Sequence, residues 1–448
     1  MSVKLQRVVV TGMGIASCLG NTLDEVSAAL RAGTSRIERI DAWRERGFAS
    51  QVAGVASLAN EPPFERKLER FMGDTARLAC HAARKAIDDA RLDAAMLRSP
   101  LAGAVIGSGV GSMASYDAAM TVARTRGVEK VPPYTVPHAM SSTASANVAQ
   151  VFGLEGVSYS PSSACTTSAL AIGQAMQLIQ TGRQQIVLAG GSESLHDNMT
   201  LMFDAMGALS RRFNDTPQRA SRPYDSARDG FVIASGGGVL VLEALDHALA
   251  RGARIYAELT GFGDCTDAGM VTPRAAGIAR AMRGALSQTS RGKTGGTTSG
   301  MRSGTTSGTT SGITGGLTND IAGEAAARPD YINTHAPSTP LGDVEELRAL
   351  QQVFGSEPGH GLPAFSSTKG MTGHPLGACG AHEAIYTLLM MRDGFIAGTT
   401  GIETAEPQTH GMPLVRETRE ARIQTAMSLS FGFGGSCASL MFEAWQDG

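Results

Sequence analysis

Cys165 and two histidines, His335 and His374, are the residues whose types and surroundings could do chemistry. Cys165 sits in SSACTTSAL (162–170), where small polar residues give way to an alanine-rich helical pattern. The pattern predicts a helix from Thr166 to about Thr181, with Gly182 as its stop. Leu170, Ile172, Met176, Leu178 and Ile179 leave almost no polar face, and no charge appears before Arg183, so this helix should be buried on all sides. A thiol at its N-terminus faces the positive end of the helix dipole and unpaired N–H groups, both of which favour thiolate. A single Cys is more often a small buried hydrophobe, so the motif alone leaves both readings open.

The histidines shift that balance. His335 lies in DYINTHAPSTPLGD (330–343), just after an apolar strand pattern, and His374 lies in SSTKGMTGHPLGACGAHEA (366–384), between a Lys and a Gly-rich turn. Each is followed by turn chemistry, so each can sit at the end of an element and point into a cleft. One Cys with two such His is the raw material of thiol nucleophile chemistry.

On these motifs the chain resembles the β-ketoacyl-[acyl-carrier-protein] synthases, the elongating condensing enzymes of fatty acid and polyketide synthesis. The resemblance rests on SSACTTS around Cys165, THAPSTPLGD around His335, STKGMTGHPLGA around Lys369 and His374, and SLSFGFGGSCASL (428–440). It extends through RVVVTGMGIASCLGN (7–21) and the segment 203–258, the latter most like the bacterial type I branch. It implies a thiolase-like α/β fold of two similar halves stacked as α-β-α-β-α, with Cys165, His335, Lys369 and His374 catalytic. It also implies an oxyanion hole and acyl-pocket gate at the turn of Phe431 and Phe433, and substrate contacts from Val110, Phe231 and Thr339. Lys369 would position and electrostatically bias His335. Substrates would arrive on the phosphopantetheine arm of acyl carrier protein, with no other cofactor. That carrier is acidic, so Arg66, Lys67, Arg70, Arg126 and Lys130 are candidate docking residues.

Two departures from the family pattern stand out. Pro337 replaces a Thr that would contact the carrier arm, and Ser436-Cys437 replaces Thr-Asn after GFGG. They keep a second reading open beside an active, homodimeric synthase: a catalytically weak partner subunit that sets chain length in a heterodimer. A degradative thiolase fits less well, because the GFGGSC context of Cys437 does not match the second Cys that such enzymes use as base.

The elements that must position these residues follow from pattern. RVVVTG, AGAVIGS, QIVLAGG, GGGVLVLE, RIYAELTGF, PDYINTHA, AFSSTK and TAMSLSF read as strands between helical patterns, an α/β arrangement. No internal repeat is evident by eye. The halves are expected at 1–250 and 251–448, interrupted by a Gly/Thr/Ser-rich insert at 288–320 after a helix ending near Leu286. TGMGIAS (11–17) imitates a dinucleotide fingerprint but has Ser17 in place of the third Gly, and so reads as a tight β–α turn.

Composition narrows the function classes. The 448 residues are 42% hydrophobic with a formal net charge of -2, which gives a large core and no basic field for nucleic acid. The six Cys (18, 80, 165, 265, 379, 437) are scattered without a CxxC pair, against zinc and a disulfide framework and in favour of a reducing cytoplasm. No apolar run is long enough to span a bilayer, and MSVKLQRVVVTGMG enters a strand pattern with no signal-peptide core.

Overall fold

The computed structural model describes residues 5–293, 328–355 and 361–446. Ten strands form one hydrogen-bonded array. They are β1 (Val8–Ala16), β2 (Ala102–Gly107), β3 (Ser158–Tyr159), β4 (Ile186–Glu193), β5 (Gly236–Ala244), β6 (Ala257–Thr266), β7 (Tyr331–Asn333), β8 (Ala364–Ser366), β9 (Thr425–Gly432) and β10 (Ser436–Ala444). Their order is β8-β7-β9-β10-β6-β1-β5-β4-β2-β3.

That order repeats itself. Counted within each half, strand two lies between three and four, in parallel with both. Strand four then pairs antiparallel with five, and five with one. The first five strands and the second five therefore have one topology, and they meet only through the two residue pairs Val9–Glu258 and Val10–Ala257. The strand β10 and the short β3 are additions to the runs read from sequence.

The helices supply the layers. α1 (Asp74–Ala90) and α2 (Thr143–Phe152) cover the outer face of the first sheet; α4 (Ala275–Lys293) and α5 (Gly342–Phe354) flank the second half, with α4 packed on β6 and β10. Between the sheets α3 (Thr167–Gln180) packs against α6 (Cys379–Asp393), and each touches strands of both halves. A helix between two sheets has no solvent face, which is why α3 carries no charge. Ile172, Met176 and Ile179 of α3 and Ile385, Leu388 and Leu389 of α6 join one central apolar cluster.

The tight β–α turn expected at TGMGIAS is corrected: TGMG lies within β1, paired with β5, and is a helix-packing site. A Cβ at Gly12 or Gly14 would stand 2.4 Å from Ala86 O or 2.0 Å from Ala82 O of α1. In the second half, Gly261 and Gly263 of TGFG meet Ala285 O and Ala281 O of α4 at 2.2 and 2.0 Å. Only glycine permits so close an approach of helix to strand.

α4 runs to Lys293, beyond the end near Leu286 expected from pattern, because Gln288 donates to Phe262 O at 2.6 Å and accepts from Phe262 N–H at 3.2 Å, and Thr289 is buried against the sheet. The expected insert at 288–320 therefore begins inside this helix, and its greater part lies outside the described residues. Among the described residues no helix is long and apolar enough to cross a membrane.

Candidate active site

Cys165 lies on a strained elbow. It follows Ala164, whose φ of 46° is in the left-handed region, and sits in the 3-10 turn Ala164–Thr166 that leads into α3. Strain at a non-glycine residue beside a candidate nucleophile is characteristic of functional sites. The second half holds the counterpart: Leu376, φ 43°, opens the 3-10 turn Leu376–Ala378 that leads into α6. The two elbows face each other, and the Cys379 thiol donates to Cys165 O at 3.1 Å.

His335 extends from the end of β7. Its backbone N–H donates to Glu346 Oε1 at 2.8 Å, and Ala336 N–H donates to the other carboxylate oxygen at 2.8 Å. Lys369 Nζ stands 3.4 Å from His335 Nδ1. An ammonium can only donate, so Nδ1 accepts and the ring proton belongs on Nε2, on the side away from Lys369. Lys369 is itself buried and ion-paired with Glu383 of α6. Burial is the strongest single influence and opposes its charge, but Glu383, helped by Cys379 and Glu346, holds the ammonium above its ordinary value of 10.5.

His374 is fixed by its backbone: its N–H donates to Val232 O at 2.7 Å and its C=O accepts from Ala234 N–H at 3.0 Å. Both ring nitrogens are buried without a protein partner. The two imidazoles meet edge to face, centroids 5.1 Å apart. Burial, then the nearby Lys369 ammonium, pushes both rings well below the ordinary 6.5, so both are neutral at physiological pH.

The Cys165 sulfur and one ring nitrogen from each histidine all lie within 4.8 Å of one another. That spacing can also hold a soft cation, as can the adjoining set His335, Cys379 and Glu383. The expected thiolate is corrected: burial pushes the Cys165 thiol up to about 12, although Lys369 pulls it down. The second half covers the elbow, and its low polarity outweighs the dipole of α3.

A cavity of about 560 Å³ opens over these groups, lined also by Val110, Phe231, Pro337, Thr339, Phe431 and Phe433. A cleft of about 580 Å³ elsewhere, lined by Asp89, Arg91, Arg254 and Trp445, contains none of the predicted residues. Phe231 packs edge-on against His374 at 5.4 Å. Phe431, expected in the turn, lies at the end of β9 opposite Cys437 and packs on His335 at 5.2 Å, forming part of the cavity wall. Phe433 is in the turn proper, between Gly432 and Gly434, against Phe203 at 6.1 Å. The turn is stapled to the elbow: Ser163 donates to Ser436 Oγ at 2.9 Å and Thr166 at 2.8 Å. A Cβ on Gly432 would lie 3.0 Å from Cys165 N, so the end of β9 rests against the backbone N–H of Cys165.

The basic residues stand apart from the cavity. Arg66, Lys67 and Arg70 are exposed at the short helix Arg66–Glu69, and Arg70 stacks on Phe71 and Tyr134. Arg126 ends the helix Met113–Arg126 and Lys130 the turn after it, both exposed. Sequence reading missed Glu383, Glu346 and Glu193. Glu193 accepts from Ser108 Oγ at 2.7 Å and from Gly109 and Gly377 N–H at 2.8 and 3.1 Å, which ties the two halves together beneath the cavity.

The geometry agrees with what the chain is similar to. Residues 5–248 match the family model described as Beta-ketoacyl synthase, N-terminal domain, and residues 317–403 its C-terminal domain. The 3-oxoacyl-[acyl-carrier-protein] synthase 1 of Haemophilus influenzae is 45% identical, over 98% of this chain and all of that one. Its namesake in Escherichia coli K12 is 44% identical, over 99% of this chain and all of its own. Among solved structures, a beta-ketoacyl synthase from Burkholderia phymatum superposes with a TM-score of 0.86 at 33% identity, covering 98% of this chain and all of that one. AntDE:AntF, an acyl-carrier protein in complex with its ketosynthase, gives 0.83 at 28% identity, covering 99% of this chain and all of the matched chain. Full-length identity to these 3-oxoacyl-[acyl-carrier-protein] synthases disfavours the weak partner subunit. The chain belongs to the beta-ketoacyl synthase family, as a thiolase-fold condensing acyltransferase.

Proposed function

We propose that this protein lengthens acyl chains by decarboxylative Claisen condensation, with Cys165 carrying the chain and acyl carrier protein delivering both substrates. The observation that carries this reading is the convergence of the Cys165 sulfur and two neutral imidazoles within 4.8 Å on one cavity.

In the first half-reaction the Cys165 sulfur attacks an acyl thioester. The new S–C bond forms as the pantetheine sulfur leaves, and the proton given up by Cys165 ends on that departing sulfur. The negative charge on the carbonyl oxygen is met by the N–H groups of Cys165 and Phe433. In the second, malonyl thioester loses CO2, and the electron pair of the broken C–C bond becomes an enolate. His335 Nε2–H and His374 stabilise its oxygen; neutral donors suit this task because no charge must be neutralised when the enolate collapses. The enolate carbon attacks the acyl group, and the Cys165 sulfur leaves and regains a proton.

Val110, Phe231 and Thr339 shape the space for the chain and the arm, since all three line the cavity. Arg66, Lys67, Arg70, Arg126 and Lys130 offer the acidic carrier a basic, exposed approach. No resident cofactor or metal is assigned to the reaction. The two halves are taken to divide near Arg251, between β5 and β6. The working unit is a homodimer. Tyr116, Val128 and Val136 are 62, 79 and 72% exposed on one segment, and edge strand β3 is uncovered, which together leave an apolar face for a second copy. Six unbridged cysteines suit a reducing cytoplasm.

Replacing Cys165 by Ala is expected to abolish condensation while malonyl decarboxylation persists, because decarboxylation needs only the histidines. Continued elongation of acyl carrier protein by Cys165→Ala would overturn the assignment.

A further inference from the structure

Cys437 stands where the family pattern has Asn, and the structure gives it a partner. In the β6–β10 ladder Cys437 is directly opposite Cys265. Two rungs away, Asp267 N–H donates to Gly435 O at 2.8 Å, so by the alternation of an antiparallel ladder the Cys265–Cys437 rung is also a hydrogen-bonded one. Such rungs separate Cα atoms by about 5.5 Å, inside the range that a disulfide spans, and put both side chains on one face of the sheet.

Both thiols converge on Gly277 of α4. Cys265 Sγ lies 3.1 Å from Gly277 O, and a Cβ at Gly277 would lie 3.4 Å from Cys437 Sγ. Glycine at 277 is required by Asp267, whose Cβ would lie 2.3 Å from an added Cβ, and it brings α4 close to both thiols. Access differs between the two. Cys265 is half-buried between exposed Asp264 and Thr266, whereas Cys437 is buried. The surroundings also differ. The neighbouring Cys437 thiol, whose S–H also reaches Gly435 O at 3.7 Å, pulls Cys265 below its ordinary value; burial opposes this, and the Arg280 guanidinium adds to it. The Gly277 carbonyl acts the other way by accepting the S–H, but Arg280 is anchored there by its donation to Thr266 O at 2.7 Å.

We propose that Cys265 and Cys437 are a peroxide-sensitive dithiol, in which Cys265 is the attacking sulfur and Cys437 the resolving one. The Cys265 thiolate attacks a hydroperoxide: an S–O bond forms, the O–O bond breaks, and hydroxide or alkoxide leaves. The Cys437 sulfur then attacks the sulfenic sulfur of Cys265. The S–S bond forms, the S–O bond breaks, and the hydroxide leaves as water with the Cys437 proton. The pair is oxidised by two electrons and the peroxide reduced by two. A hydrogen-bonded rung must tighten to bring the Cβ atoms within bonding distance, so the bond is strained and easily reduced by thiols. Cys437 also lies opposite Phe431 and two residues after Gly435, so the bridge tethers the root of the turn that carries Phe433.

The effect on turnover rests on the condensing function proposed above, whereas the bond itself does not. The test treats the full chain, freed of reductant, with hydrogen peroxide and maps its peptides without reduction. Peptides containing Cys265 and Cys437 should appear joined, lighter by two hydrogens, in wild type and equally in Cys165→Ala. In Cys437→Ser, Cys265 should accumulate as sulfenic or sulfinic acid. In Cys265→Ser, Cys437 should stay reduced. With wild type, part of the lost condensation activity should return on adding dithiothreitol, and that recoverable part should vanish in Cys437→Ser. Cys265 and Cys437 both remaining reduced while Cys165 oxidises would overturn the proposal, as would oxidised Cys265 that never links to Cys437. A joined pair with no recoverable activity would confirm the bond and refute its control of turnover.

Discussion

At the scale of residues the proposed mechanism rests on groups that stay neutral until charge develops. Cys165 rests as a thiol and His335 and His374 as imidazoles, all for one reason: the two halves close over them and withdraw water. Replacing His335 or His374 by Ala should slow malonyl decarboxylation by about 10²–10³, the usual cost of one oxyanion donor, and acylation of Cys165 much less. Rapid-quench measurement of the two steps checks this; equal losses in both would contradict it. The pH profile is a second readout. A ring whose value is lowered by burial stays neutral as pH falls through the ordinary 6.5, so decarboxylation should be level from about pH 6 to 8, where free imidazole titrates. The residues that meet on the cavity were legible in the sequence because each sits in a distinctive local context. Glu383 was missed, although it is the only acid between Cys379 and Met391, because its meaning depends on Lys369 facing it across the fold. The thiol state of Cys165 was not legible, because it depends on chain that arrives more than two hundred residues later.

At the scale of elements, loops braced by buried charge hold the donors. The loop after His335 is gripped by Glu346 on His335 and Ala336 N–H, by Asp343 on Thr339 N–H at 3.0 Å, and by Ser367 on Ala336 O at 2.9 Å. Pro337 rides on this frame, half-buried at the cavity wall. Pro337→Thr should therefore leave the loop in place and add a hydroxyl for the carrier arm. One such hydrogen bond contributes about 0.5–1.5 kcal/mol, which would lower KM for malonyl carrier protein by up to roughly tenfold. Steady-state kinetics decide: a raised KM would mean that the ring of Pro337, not the frame, shapes the entrance. Pattern identified most strands, including those that carry His335 and Lys369. It passed over β10, where CASLMFEA mixes small and apolar residues, and β3, only two residues long. Strand order lay beyond pattern because pairing is non-local: β1 bonds to β5 and β6.

At the scale of the whole molecule, function follows from duplication. TGMG at 11–14 and TGFG at 260–263 lie at matching positions within equivalent strands and pack equivalent helices, and the matched elbows at Ala164 and Leu376 bring Cys165 and His374 to one interface. The repeat was present in the sequence, but two tetrapeptides hundreds of residues apart are too short to be seen without the structure. The exposed apolar segment from Met113 to Ala139 belongs to the same scale. Analytical ultracentrifugation of the purified chain alone should show a dimer; a stable monomer would point to a different partner for that face.

The central claim is that Cys165 carries the growing chain between two half-reactions. Intact-mass and peptide analysis of the enzyme, first with acyl carrier protein bearing an acyl chain and then with malonyl carrier protein, tests it most directly. The account predicts one acyl group on the Cys165 peptide after the first addition, and its loss, with appearance of 3-oxoacyl carrier protein, after the second. An acyl group on any other residue, or one on Cys165 that malonyl carrier protein does not discharge, would contradict it.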